Sequence, residues 1–72
     1  MPVKLFATDS NESKQAMGLL EQAEVAYDLI APDASMLGYQ VMFSVTGTRR
    51  VPVLCVDGKA YRGLEGVQRF LA

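Results

Sequence analysis

Histidine is absent from this chain, and cysteine occurs once, as Cys55, in 72 residues. Without an imidazole there is no Ser-His nucleophile, because nothing is placed to take the hydroxyl proton. One cysteine cannot close an internal disulfide, the usual staple of small secreted domains. A zinc or iron-sulfur site needs several cysteine or histidine ligands, so no metal site is expected. An excess of either charge is also missing. Seven Lys and Arg stand against eight Asp and Glu, for a formal net charge of −1, and apart from the pair Arg49-Arg50 the bases are spread along the chain. That balance gives no electrostatic case for nucleic acid or an anionic membrane as partner. No apolar run approaches the roughly 20 residues that span a bilayer, and Met1 to Phe6 is too short for a signal peptide, so cytoplasmic residence is the expectation.

What is present is a half-apolar chain of 72 residues, enough for one domain over 1–72 and near the lower limit at which a core alone supports folding. Val3 to Ala7 predicts a strand. Thr8-Asp9-Ser10 predicts a helix cap, with Asp9 or Ser10 as the capping residue and Glu12 three residues after Asp9 in a capping box. The helix from about Asn11 to Glu24 places Ala16, Leu19, Leu20 and Ala23 on its packing face. Ala26 to Ala31 reads as a second strand closed by Pro32, and a second helix is expected from about Ala34 to Val45, ended by Thr46-Gly47-Thr48. Pro52 to Val56 is a third strand, Asp57-Gly58 a two-residue hairpin turn, and Lys59 to Arg62 the returning strand. A last helix over Leu64 to Leu71 turns Val67, Phe70 and Leu71 inward. The order βαβαββα predicts an α/β thioredoxin fold, a four-stranded mixed sheet flanked by helices. Cys55, on a central strand, is expected to be a buried, inert thiol. Met17, Met36 and Met42 are expected to fill gaps in the core or line a groove.

The strand-to-helix turn at Ser10, the Val51-Pro52 pair, the Asp57-Gly58 hairpin and the single Gly63 after the fourth strand resemble glutaredoxins over essentially the whole chain. The resemblance is strongest to the short glutaredoxin-like redoxins that serve ribonucleotide reductase, whose Gly-x-Arg-x-x-Pro pattern fits Gly47-Thr48-Arg49-Arg50-Val51-Pro52. It implies a thiol-disulfide oxidoreductase lineage, a role in electron transport, a cis proline at Pro52, and glutathione or a thiol-containing peptide or protein as partner of a monomer. The chain departs from the pattern at the active site. Where the family carries Cys-x-x-Cys, Ser10 and Ser13 fall into register.

Disulfide exchange needs a thiolate, which the fold makes accessible by placing a cysteine at a helix N-terminus, lowering its pKa from about 8.5 to as little as about 3.5. A serine there stays protonated and accepts no electrons, so the chain as written is expected to be redox-inactive. Three readings of Ser10 and Ser13 stand open: Ser10 as a helix cap with Ser13 solvated in the first turn; Ser10 as a hydrogen-bond donor to the sulfur of bound glutathione; or both as replacements of cysteines in a redox-active parent. By resemblance, the Val51 backbone would pair antiparallel with a bound cysteinyl peptide. Arg49 or Arg50 would hold a carboxylate. Gly63 and Leu64 would let a ligand backbone approach, and Glu65 would meet an α-amino group. The family's usual Ser/Thr-Asp pair for that last contact is absent, so an extended protein tail fits as well as the tripeptide. Glutathione is the one small ligand implied, and no cofactor is expected. The alternatives are a non-catalytic protein-interaction module and a stand-alone relative of the glutathione-transferase amino-terminal domain, whose common Glu-Ser pair is Glu65-Gly66 here.

Overall fold

The computed structural model describes residues 2–72. The elements are β1 (Val3–Phe6), α1 (Asn11–Gln22), β2 (Asp28–Ile30), a 3₁₀ turn (Pro32–Ala34), α2 (Gly38–Thr46), β3 (Val53–Val56), β4 (Lys59–Arg62) and α3 (Gly63–Leu71). They form one mixed sheet in the order β2-β1-β3-β4. β1 pairs parallel with β2 through Leu5↔Leu29, and antiparallel with β3 through Leu5↔Leu54; β4 pairs antiparallel with β3 through Leu54↔Tyr61. The four-stranded sheet flanked by three helices is a thioredoxin fold.

Strand periodicity decides which side chains meet which helix. Val3 and Leu5 of β1 and Leu54 and Val56 of β3 join Ala16 and Leu20 of α1 and Val67 of α3 in the larger core. Leu5, Leu20, Leu54 and Val67 are fully buried, each stabilising by about 1.5–3 kcal/mol relative to exposure. Phe6 and Val53 alternate to the other side and meet Met42 of α2 in a smaller cluster. The β3–β4 turn has positive φ at both Asp57 (52°) and Gly58 (78°), the conformation that suits a right-twisted two-residue hairpin.

Several boundaries and faces differ from the sequence reading. The second helix begins at Gly38, not Ala34, because the chain first makes the 3₁₀ turn and then folds Gly38 against the Pro32 carbonyl, where a side chain would collide. Gly47, left-handed at φ 75°, closes it and donates its N–H to the Phe43 carbonyl. α1 ends at Gln22, leaving Ala23 exposed at its C-terminus instead of on the packing face. Met42 is buried and Met17 packs on the core, but Met36, in the link before α2, is 99% exposed. Cys55 is only half-buried, because the face it shares with Val53 is only partly covered by the short α2. No helix among the described residues is long and apolar enough to cross a membrane.

Candidate functional site

Ser10 is the N-cap of α1: its backbone is extended (φ −64°, ψ 156°) and its Oγ accepts the Ser13 N–H at 3.2 Å. The same hydroxyl donates to Ser13 Oγ at 2.9 Å. Ser13 Oγ also accepts the Thr8 N–H at 3.1 Å, and Ser13 is fully buried. This answers the choice between Asp9 and Ser10 as cap. It also corrects the picture of Ser13 as a solvated residue: helical spacing from Ala16 and Leu20 turns it under the β1–α1 loop, where its oxygen satisfies a backbone amide that the loop would otherwise leave unpaired. Glu12 does not close a capping box. It reaches across the molecule to Arg50.

The Arg50–Glu12 contact spans 3.4 Å, and both side chains are largely exposed. Such a pair adds little stability, but it joins the head of α1 to the segment before Pro52. On its other side the Arg50 guanidinium flanks Gly63: a Cβ at Gly63 would stand 3.9 Å from the guanidinium carbon and 3.1 Å from Glu65 Oε2. Gly63 has φ 73° and is buried, a conformation that strains any residue with a side chain. Its N–H donates to the Pro52 carbonyl at 2.8 Å. The Val51–Pro52 peptide is cis. Among the described residues, neither the N–H nor the C=O of half-buried Val51 has a hydrogen-bond partner.

The two arginines therefore separate. Arg50 pairs with Glu12 and flanks Gly63, while Arg49 turns to α2 and lies 4.9 Å over the Phe43 ring. Leu64 is half-buried and Glu65 exposed in the first turn of α3. Leu64 also lines a surface hollow with Gln15, Gly18, Leu19, Gln22 and Gln68. Backbone groups and charges are what the site presents. Burial pushes the Cys55 thiol above its ordinary pKa, against a smaller opposing pull from Lys4. Cys55 sits on the strand interior, away from Ser10. Among the described residues no group of histidine, cysteine and carboxylate side chains could hold a metal ion. Sequence reasoning missed Glu12 as Arg50's partner, since no local pattern links residues 38 positions apart.

No family model matches this chain, and no curated protein does. Solved structures do. A buckwheat glutaredoxin in complex with glutathione superposes with a TM-score of 0.80 at 25% identity, over 94% of this chain and 66% of that one. The holo form of glutaredoxin C1 from Populus tremula x tremuloides gives 0.79 at 25% identity, over 94% and 65%. A wheat glutaredoxin gives 0.75 at 25% identity, over 90% and 64%. The fold is that of the thioredoxin superfamily. Within it the chain is glutaredoxin-like, and it spans about two thirds of the length of the structures it matches.

Proposed function

We propose that Ser10 and Ser13 stand where the two active-site cysteines of a glutaredoxin stand, and that this single domain binds glutathione or an extended cysteinyl peptide without exchanging electrons. The observation that carries the reading is the convergence of three segments. The Ser10–Ser13 hydroxyl pair heads α1; Arg50, bound to Glu12, brings that head to the Val51–Pro52 segment; and the Pro52 carbonyl holds Gly63 at the start of α3.

A ligand lying across these segments meets an unpaired Val51 N–H and C=O, which suit antiparallel pairing with an extended backbone. Its carboxylate meets Arg50, with Arg49 set back over Phe43, and its α-amino group meets Glu65. Gly63 and Leu64 leave room for its main chain. Ser10 Oγ, its one proton turned from Ser13 Oγ to the ligand, donates to the sulfur while still accepting the Ser13 N–H. The glutathione complex of the buckwheat protein supports this class of ligand. With oxygen at both positions no thiolate forms and no disulfide is exchanged. A lone thiol in place of a disulfide supports a reducing compartment, the cytoplasm, and a monomer completes the reading.

Titration with glutathione, followed by amide resonances, tests the reading. Shifts are expected at Ser10, Val51 and Leu64. A silent spectrum at millimolar glutathione overturns it.

The exposed Met36, Leu37, Val41, Phe43 and Val45 around α2 favour a second reading, a protein-interaction module with no small ligand. The Ser10–Ser13 separation favours a third, a redox-active parent with cysteine at both positions.

A further inference from the structure

Charge is segregated across the sheet, although its balance over the whole chain hides this. Residues 15–48 contain four acids, Glu21, Glu24, Asp28 and Asp33, and no base. Residues 49–72 contain five bases, Arg49, Arg50, Lys59, Arg62 and Arg69, against Asp57 and Glu65. Because β2 and β4 are the two edges of the sheet, the acidic segment supplies one edge and the basic segment the other.

The β4 edge is open. Asp57-Gly58 closes a two-residue hairpin, which makes Val56 and Lys59 a hydrogen-bonded pair and, two residues on, Leu54 and Tyr61 another. In the register Cys55↔Ala60, Ala60 therefore points its N–H and C=O away from β3, toward the free side. Beside it lies a hollow of about 520 Å³ lined by Lys59, Ala60, Tyr61 and Arg69. Lys59 Nζ lies 5.2 Å over the Tyr61 ring, and that ring is fixed edge-on against Phe70 of α3 at 5.4 Å. Lys59 and Arg69 come from different elements, yet both line this hollow. The ion pair among the described residues is Arg50–Glu12, so neither cation has a carboxylate of its own. Arg62, by contrast, is turned away and donates its Nε–H to the Thr46 carbonyl at 3.0 Å.

A lysine on an edge strand often serves only to repel other strands. Lys59 alone would do that; a second cation delivered by α3 to the same hollow, with an aromatic floor between them, is a surface complementary to negative charge. We propose that the β4 edge takes an acidic, extended segment of a partner protein as a fifth strand, with Ala60 supplying the backbone pairing and Lys59 and Arg69 receiving carboxylates. An extended segment places every second side chain on one face, so acidic residues at alternate positions suit the hollow best. This surface is distinct from the Ser10–Val51–Gly63 site.

The probe is the peptide Glu-Val-Glu-Val-Glu, titrated into the full chain at low ionic strength, with Lys-Val-Lys-Val-Lys as control. Amide shifts centred on Ala60 and Tyr61 are expected with the acidic peptide alone, fading as salt is added. The double variant Lys59→Glu, Arg69→Glu is expected to weaken binding by at least about tenfold. Ala60→Pro removes the outward N–H at an edge position where proline is tolerated; it is expected to abolish binding with both cations in place. Equal response to both peptides, shifts elsewhere, or no response from the folded chain would overturn the proposal. So would shifts at Ala60 that grow with protein concentration in the absence of peptide, which would make the acidic β2 edge of a second copy the occupant.

Discussion

Ser10 Oγ donates a 2.9 Å hydrogen bond to Ser13 Oγ, so two side chains three residues apart meet in the first turn of α1. Cysteines at the same positions would bring their sulfurs together without rearranging the helix. The double variant Ser10→Cys, Ser13→Cys is therefore expected to form an internal disulfide under mild oxidation, seen as the loss of two hydrogens by mass spectrometry. It is also expected to reduce a glutathione mixed disulfide when a thiol reductant is supplied. A variant that folds yet stays a dithiol, or forms only intermolecular disulfides, speaks against the cysteine-position reading.

The same pair sets a stability expectation. Ser13→Ala strips the acceptor from the Thr8 N–H beneath a buried position and is expected to cost about 1–3 kcal/mol. Ser10→Ala removes the cap and is expected to cost about 0.5–2 kcal/mol. Because the hydroxyls bond each other, the double variant should lose less than the sum of the two. Urea melts of the three variants measure this, and strict additivity would mean that the two oxygens act independently.

Two glycines should respond in opposite directions to alanine. A Cβ at Gly38 would run into the Pro32 carbonyl, so Gly38→Ala is expected to destabilise by about 1–3 kcal/mol through overpacking. Gly18 lies inside α1 with open space where its Cβ would be. Gly18→Ala should stabilise by about 0.5–1 kcal/mol, because alanine has less backbone freedom to lose in a helix. Melting temperatures that fall for both variants would contradict the packing described for α1.

Cys55 gives a pH dependence with a definite sign. Burial raises its pKa and Lys4 opposes this to a smaller extent, so the thiolate is scarcer at neutral pH than in an exposed cysteine. Alkylation by iodoacetamide should be slower than for free glutathione, with a midpoint at higher pH than that of glutathione. Lys4→Gln should move that midpoint further up. By linkage, this thiol leaves stability unchanged below its ordinary pKa, and stability falls as the pH rises above it. A midpoint below that of glutathione would show that the positive charge outweighs burial.

Much of this architecture is legible from local pattern. The alternation of Val53, Leu54, Cys55 and Val56 followed by Asp57-Gly58, a pair that readily takes positive φ at both residues, marks a two-residue hairpin, so β3 and β4 are readable within a residue of their ends. The start of α2 was not readable. Its position depends on Gly38 meeting Pro32, a contact between backbones that no helical periodicity reports. The same limit applies at the site. Ser10 as a cap follows from its place before a helix, but the burial of Ser13 depends on the loop above it. The Arg50–Glu12 contact joins residues that only the folded sheet brings together. Met36, at helical spacing, reads as a packing residue, yet the chain at that point has not entered its helix and the side chain is exposed.

The hydrogen bond from the Gly63 N–H to the Pro52 carbonyl gives this small protein an internal gauge. That amide sits where the sheet hands over to α3, one peptide unit behind the open Val51 edge. Its deuterium exchange rate should register whatever occupies that edge, without any label being attached to the molecule.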